Sequence, residues 1–166
     1  MKPTIGIPDT DLTEIATMLN KLLADEYVLL TKTRNAHWNL TGQGFYELHK
    51  FFQSQYEAIN LIIDDVAERV RTLGHFALGS LKDFLSVTNM TEGNHDFSNS
   101  VQIIQTLLND HEIIVRIIRN EIIPATIKCN DAGTTDFVTG LMEQHEKMCW
   151  MLRSPISNLN LISTQV

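Results

Sequence analysis

Cysteine, proline and glycine are all scarce in this chain: two, four and eight residues in 166. So few prolines and glycines leave little material for a turn-rich β architecture, a collagen-like repeat or a flexible linker. Cys129 and Cys149 form neither a CxxC pair nor a metal-ligand grouping, and they read as reduced bystander thiols. No apolar run approaches the length of a membrane span, and no basic N-terminal region precedes an apolar stretch. A soluble cytoplasmic protein is therefore expected. Positive charge is also short, with 13 Lys and Arg against 20 Asp and Glu, a net −7. Residues 1–9 carry only Lys2, and residues 154–166 have no basic side chain. Nucleic-acid phosphates need Lys and Arg to neutralise them, so DNA binding is expected to be absent or weak.

What the chain does have is helix-forming sequence with a regular apolar rhythm. The length suits one domain, residues 1–166, with residues 1–9 as a short tail. The spacing predicts an all-α fold of four long helices. The first covers about residues 11–37, with Asp9, Thr10 or Asp11 as cap. The second covers 45–73, where Phe52, Ile59, Ile62, Ile63, Val66 and Val70 recur at steps of three and four. The third starts near Ser98 and is kinked or ended by Pro124, and the fourth spans about 134–156. The connection from Gly74 to His95 is long for a bundle loop, and Ser80 is placed to cap a short helix over 81–85 inside it. Such a crossover between the second and third helices fits a ferritin-like bundle.

The chemistry gathers between Asn35 and Arg71. His37 and His49 flank a glycine-bearing turn, and Asp64 and Glu68 follow one helical turn apart. Imidazoles with carboxylates are a ligand set suited to iron and similar divalent metals. On one helix, however, His49 and Asp64 are separated by roughly 22 Å, too far for one ion. The histidines meet only if the two flanking helices pack antiparallel, and the carboxylates share a separate face. Each chain thus has half a site at either end of its second helix. A two-fold dimer with these helices antiparallel joins the histidine end of one copy to the carboxylate end of the other. A solvated face with local ion pairs to Arg69 and Arg71 is the plainer alternative for the carboxylates. Against it, Asp64 falls inside the apolar rhythm, where an unpaired carboxylate is costly.

These residues also resemble a known family. His37-Trp38-Asn39, Gly42, Phe45, Leu48-His49, Phe52, Tyr56, Asp64 and Ala67-Glu68-Arg69 are similar to the signature of the Dps miniferritins, DNA-binding proteins from starved cells. Leu73-Gly74, Gly79-Ser80, Asp83-Phe84-Leu85, His145-Glu146-Lys147 and Trp150-Met151-Leu152-Arg153 extend the resemblance over nearly the whole chain. It implies a ferritin-like four-helix bundle assembled into a hollow dodecamer. Ferroxidase centres would lie at its two-fold interfaces, with His37 and His49 from one subunit and Asp64 and Glu68 from its neighbour. Iron would be the substrate, oxidised with hydrogen peroxide and stored as ferric mineral, giving protection against oxidative damage. Trp38 would stand beside the centre, where the family places a tryptophan thought to intercept stray oxidising equivalents. Its alternative is a core or interface aromatic.

The chain departs from the family at Gln53, where an acidic residue usually stands one turn after the second histidine. A neutral amide is a weaker ligand, so a second iron position is expected to be looser. Glu57 is a possible substitute one turn further on, with a surface role as its alternative. The resemblance also implies a pore role for Asp131 and Asp136, although by themselves they read as a turn residue and a first-turn acid. His75, His95, His111 and His145 lie on separate elements and are expected to be structural or exposed, without forming a cluster. The function class that stands beside iron oxidation and storage is a DNA-binding or structural shell with weak or secondary ferroxidase activity.

Overall fold

The computed structural model describes residues 3–93 and 97–163, with side chains through residue 155. Four long helical segments form an antiparallel bundle, with a short helix in the crossover. Helix α1 (Asp9–Asn39) pairs with α2 (Phe45–Thr72), and α4 (Ser100–Ile117) pairs with α6 (Ala132–Ser163). Helix α3 (Leu81–Val87) lies in the crossover, and α5 (Ile123–Lys128) leads into α6. His95 lies outside the described residues. None of the described helices is long and apolar enough to cross a membrane.

Boundaries follow local chemistry. Helix α1 starts two residues before the expected position. Pro8 takes the cap position in an extended conformation, and Asp9 and Asp11 place negative charge in the first turn. Asn99 caps α4 by accepting a 3.0 Å bond from the Gln102 amide. Ser80 caps α3 as expected, accepting from the Asp83 amide. The α-helical hydrogen bonding of the third helix stops at Ile117, ahead of Pro124. A π-helical turn over Ile118–Ile122 widens the backbone just before it, and Pro124 then occupies the first turn of α5. Pro155 likewise lies within α6.

The core is one cluster of aliphatic side chains with Phe52 fully buried among them. Burial of each large apolar side chain contributes about 1.5–3 kcal/mol. Two charged residues on α1 hold the crossover against this core. The buried Asp25 carboxylate accepts from Thr88 Oγ1 at 2.7 Å and from the Asn89 amide at 2.6 Å. Lys32 pairs with Asp110 of α4 and donates to the Thr91 carbonyl at 3.1 Å. A long connection with little regular structure is thereby fixed by hydrogen bonds to charged groups, which are stronger than neutral ones.

Candidate metal centre

The α1–α2 hairpin builds the histidine half. Its five-residue connection, 40–44, turns sharply because Gly42 and Gly44 adopt φ of 96° and 74°, a region that side chains disfavour. The turn brings His37, in the last turn of α1, against His49 on α2. Their rings stack with centroids 3.8 Å apart. His37 Nδ1 lies 2.8 Å from the His49 carbonyl, and His49 Nδ1 lies 2.9 Å from the His37 carbonyl. A carbonyl oxygen only accepts, so each Nδ1 carries the proton and donates. A metal would therefore have to bind at Nε2, the ring nitrogen that these contacts leave over. Such an orienting bond on the far ring nitrogen is typical of metal-binding histidines. The His37 carbonyl is open to this contact because the Thr41 amide, one turn on, donates to Phe97 instead.

Neighbouring side chains frame the pair. Phe45 lies 5.2 Å from the His49 ring, and Tyr56 meets His37 edge-on at 5.2 Å. Arg34 stands over the Tyr56 ring. Trp38 is 68% exposed in the chain. Gln53, half-buried, donates from Nε2 to Glu57 Oε1 at 2.8 Å.

Asp64 and Glu68 lie near the opposite end of α2. Both are exposed, which corrects the expectation of a carboxylate held in the apolar stripe. The buried stripe runs through Ile59, Ile62, Ile63, Val66 and Val70, and Asp64 falls just outside it. The same face carries Leu61, which is 68% exposed. A solvated Asp64 costs the single chain nothing, and acids beside an exposed leucine present a surface suited to a second subunit. Among the described residues, no three His, Cys, Asp or Glu side chains of one chain are grouped to hold an ion. Each half offers two donors.

Asp131 and Asp136 divide. Asp131 is buried and accepts from the Thr134 amide at 2.9 Å and from Arg69 Nη2 at 3.2 Å. It ties the start of α6 to α2, next to Glu68. Gly133 lets the Arg69 guanidinium approach closely, since a Cβ there would stand 3.0 Å from it. Asp131 thus serves this junction within the single chain. Asp136 is exposed and, with Ile127, Asn130, Ala132, Thr135 and Thr139, lines a depression of about 480 Å³.

Two of the remaining histidines do meet, contrary to the expectation that none cluster. His111 Nδ1 and His145 Nδ1 are 2.9 Å apart in the bundle interior, and His145 Nε2 lies 2.8 Å from a carboxylate oxygen of Glu26. All three side chains are buried, and the contact between Glu26 and His145 is close without being an aligned hydrogen bond. Burial first, and the neighbouring His145 second, push the His111 pKa well below the usual histidine value. The residues come from α1, α4 and α6, so no sequence interval announces the cluster. A histidine at a core position of an apolar helix was the one available signal.

Comparison with known proteins follows the same lines. A family model, Ferritin (ferritin-like domain), matches residues 16–162. A low temperature-induced protein of Nostoc sp. is 40% identical over 150 residues, covering 90% of this chain and 84% of the relative. A "DNA protection during starvation protein 2" of Bacillus anthracis is 28% identical, covering 85% of this chain and 95% of the relative. Among solved structures, the Dps protein of Vibrio cholerae O1 aligns with a TM-score of 0.86 at 30% identity. It covers 92% of this chain and 95% of that one, and is described as a member of the ferritin-like diiron-carboxylate superfamily. DpsC of Streptomyces coelicolor aligns with a TM-score of 0.89 at 25% identity, over 94% of this chain and 90% of the other.

Proposed function

The chain belongs to the ferritin-like family, in its Dps branch, and from that premise we propose that it is a ferroxidase and iron store. It binds Fe²⁺ at centres shared by two subunits, oxidises it with hydrogen peroxide, and holds the ferric product inside a twelve-subunit shell. The observation that carries this reading is the reciprocal His37–His49 arrangement, in which both Nδ1 atoms are taken up by backbone carbonyls and Nε2 is the ring nitrogen left for a metal on each. Their complement is the exposed Asp64–Glu68 pair near the other end of the same helix. Two copies related by a two-fold axis bring these halves together twice.

In that centre, His37 and His49 supply neutral nitrogen donors, and the partner subunit's acids supply oxygen donors. Their negative charge favours the ferric product over the ferrous substrate, which lowers the cost of losing an electron. One peroxide accepts one electron from each of two ferrous ions, so both ingredients of hydroxyl-radical chemistry are consumed together. Trp38, next to His37 in the chain and exposed, takes up oxidising equivalents that escape. Ferrous ions reach the interior past Asp136, whose charge draws cations inward. Asp131 has no part in that path because Arg69 and the α6 start already engage it. With a net −7 per chain, DNA contact is weak.

Titration with Fe²⁺ under peroxide, followed by ferric absorbance and by scattering for assembly size, tests the proposal. Ferric iron should accumulate within a large, uniform particle. A small oligomer that never accumulates ferric iron would overturn it. A gel shift at moderate salt and neutral pH tests the DNA expectation, and a tight complex would overturn that part.

A further inference from the structure

Gln53 stands where the family usually carries an acidic residue, and the contact with Glu57 gives that departure a chemical meaning. Gln53 stands one helical turn after His49, and Glu57 one turn after Gln53, all on one face of α2. The amide is oriented unambiguously. An ionised carboxylate only accepts, so the 2.8 Å bond to Glu57 must use Nε2, and Oε1 is the Gln53 atom left for a ligand. A hydrogen bond to a charged acceptor polarises the amide and makes its oxygen a better donor to a cation. Glu57 itself lies about 12 Å along the helix from His49, too far to share an ion with it directly.

We propose that Gln53 and Glu57 act as one unit at the second, looser iron position. Gln53 presents its amide oxygen to the ferrous substrate beside His49, and Glu57 is the positioning residue that holds the amide and returns the missing negative charge one turn further out. This rests on the shared-centre reading above and specifies it. It assigns the neutral side chain a ligand role and gives the neighbouring acid a function that a solvated surface residue would not have.

Anaerobic calorimetric titration of the assembled protein with Fe²⁺ tests this without any turnover. The wild type should bind in a tight and a weak step. E57A, which removes both acceptor and charge, should weaken the second step about tenfold and leave the first unchanged, as losses of outer-shell partners do. E57Q keeps an acceptor but loses the charge, and its effect should be intermediate. Q53E should strengthen the second step directly, and in that background E57Q should no longer weaken it, giving clear non-additivity. Unchanged weak binding in both E57A and E57Q, or an equal loss in the Q53E background, would overturn the proposal. A wild-type protein that binds no Fe²⁺, or whose binding is indifferent to H49A, would instead remove the shared centre itself and this inference with it. Scattering on each variant separates these outcomes from a loss of assembly.

Discussion

An imidazole enclosed away from water cannot take up a proton as readily as one at the surface, and His111 is in that position. Its folded pKa lies below the ordinary value near 6.5, so the stabilisation from keeping it neutral is complete above about pH 6.5. Below that, the unfolded chain binds a proton that the folded chain refuses, and the contribution is lost as pH falls toward the folded pKa. The limit is about 1.4 kcal/mol per pH unit and chain. Thermal unfolding between pH 7.5 and 5.5 should therefore decline more steeply in the wild type than in H111Q; equal slopes would count against a buried neutral His111. Cys149 is a second enclosed group, pushed up to about 11 mainly by burial. It should resist alkylation at pH 8 until the protein unfolds, which mass spectrometry of labelled native protein checks. At the proposed centre, H37A and H49A are clean deletions, because the surviving ring still bonds to a backbone carbonyl. Each should lower peroxide-dependent iron oxidation at least about tenfold while leaving the helical circular dichroism unchanged.

Among the elements, the crossover depends most on a few contacts. Asp25 on α1 accepts three hydrogen bonds from Thr88 and Asn89, so D25A should loosen the segment around α3 before the four long helices separate. A cost of about 3 kcal/mol is expected from the buried donors left without a partner, and amide exchange in the crossover should accelerate locally. Much of this arrangement was legible in the residues: the α2 stripe, the Ser80 cap and the His37–His49 approach all rest on intervals of three or four or on a glycine turn. Three features were not. The face of Asp64 was misjudged because a one-residue step moves a side chain 100° around a helix, enough to leave a buried stripe. Pro124 was expected to kink or end the third helix, whereas the change of helix type comes ahead of it, at Ile118. The Glu26–His145–His111 contact depends on which helices become neighbours, a fact of packing with no local period.

In the proposed assembly no chain works alone, and mixing experiments address this directly. An H37A/H49A chain and a D64A/E68A chain should each be inactive as pure assemblies. A mixed two-fold pair has one site with every ligand lost and another with every ligand intact. Random co-assembly in equal amounts should thus restore about a quarter of the wild-type centres. A centre contained in one chain would give no recovery at all. Both tryptophans bear on how such assembly can be watched. Trp38 and Trp150 are 68% and 66% exposed, and the chain has no other indole. Emission from this protein is therefore a record of what covers its surface rather than of how well its core is formed. Separated subunits should fluoresce at long wavelength even when fully folded, and association should move the emission to the blue. Ferric iron accumulating beside Trp38 should then dim that half of the signal, so one optical channel reports both meeting of subunits and arrival of cargo.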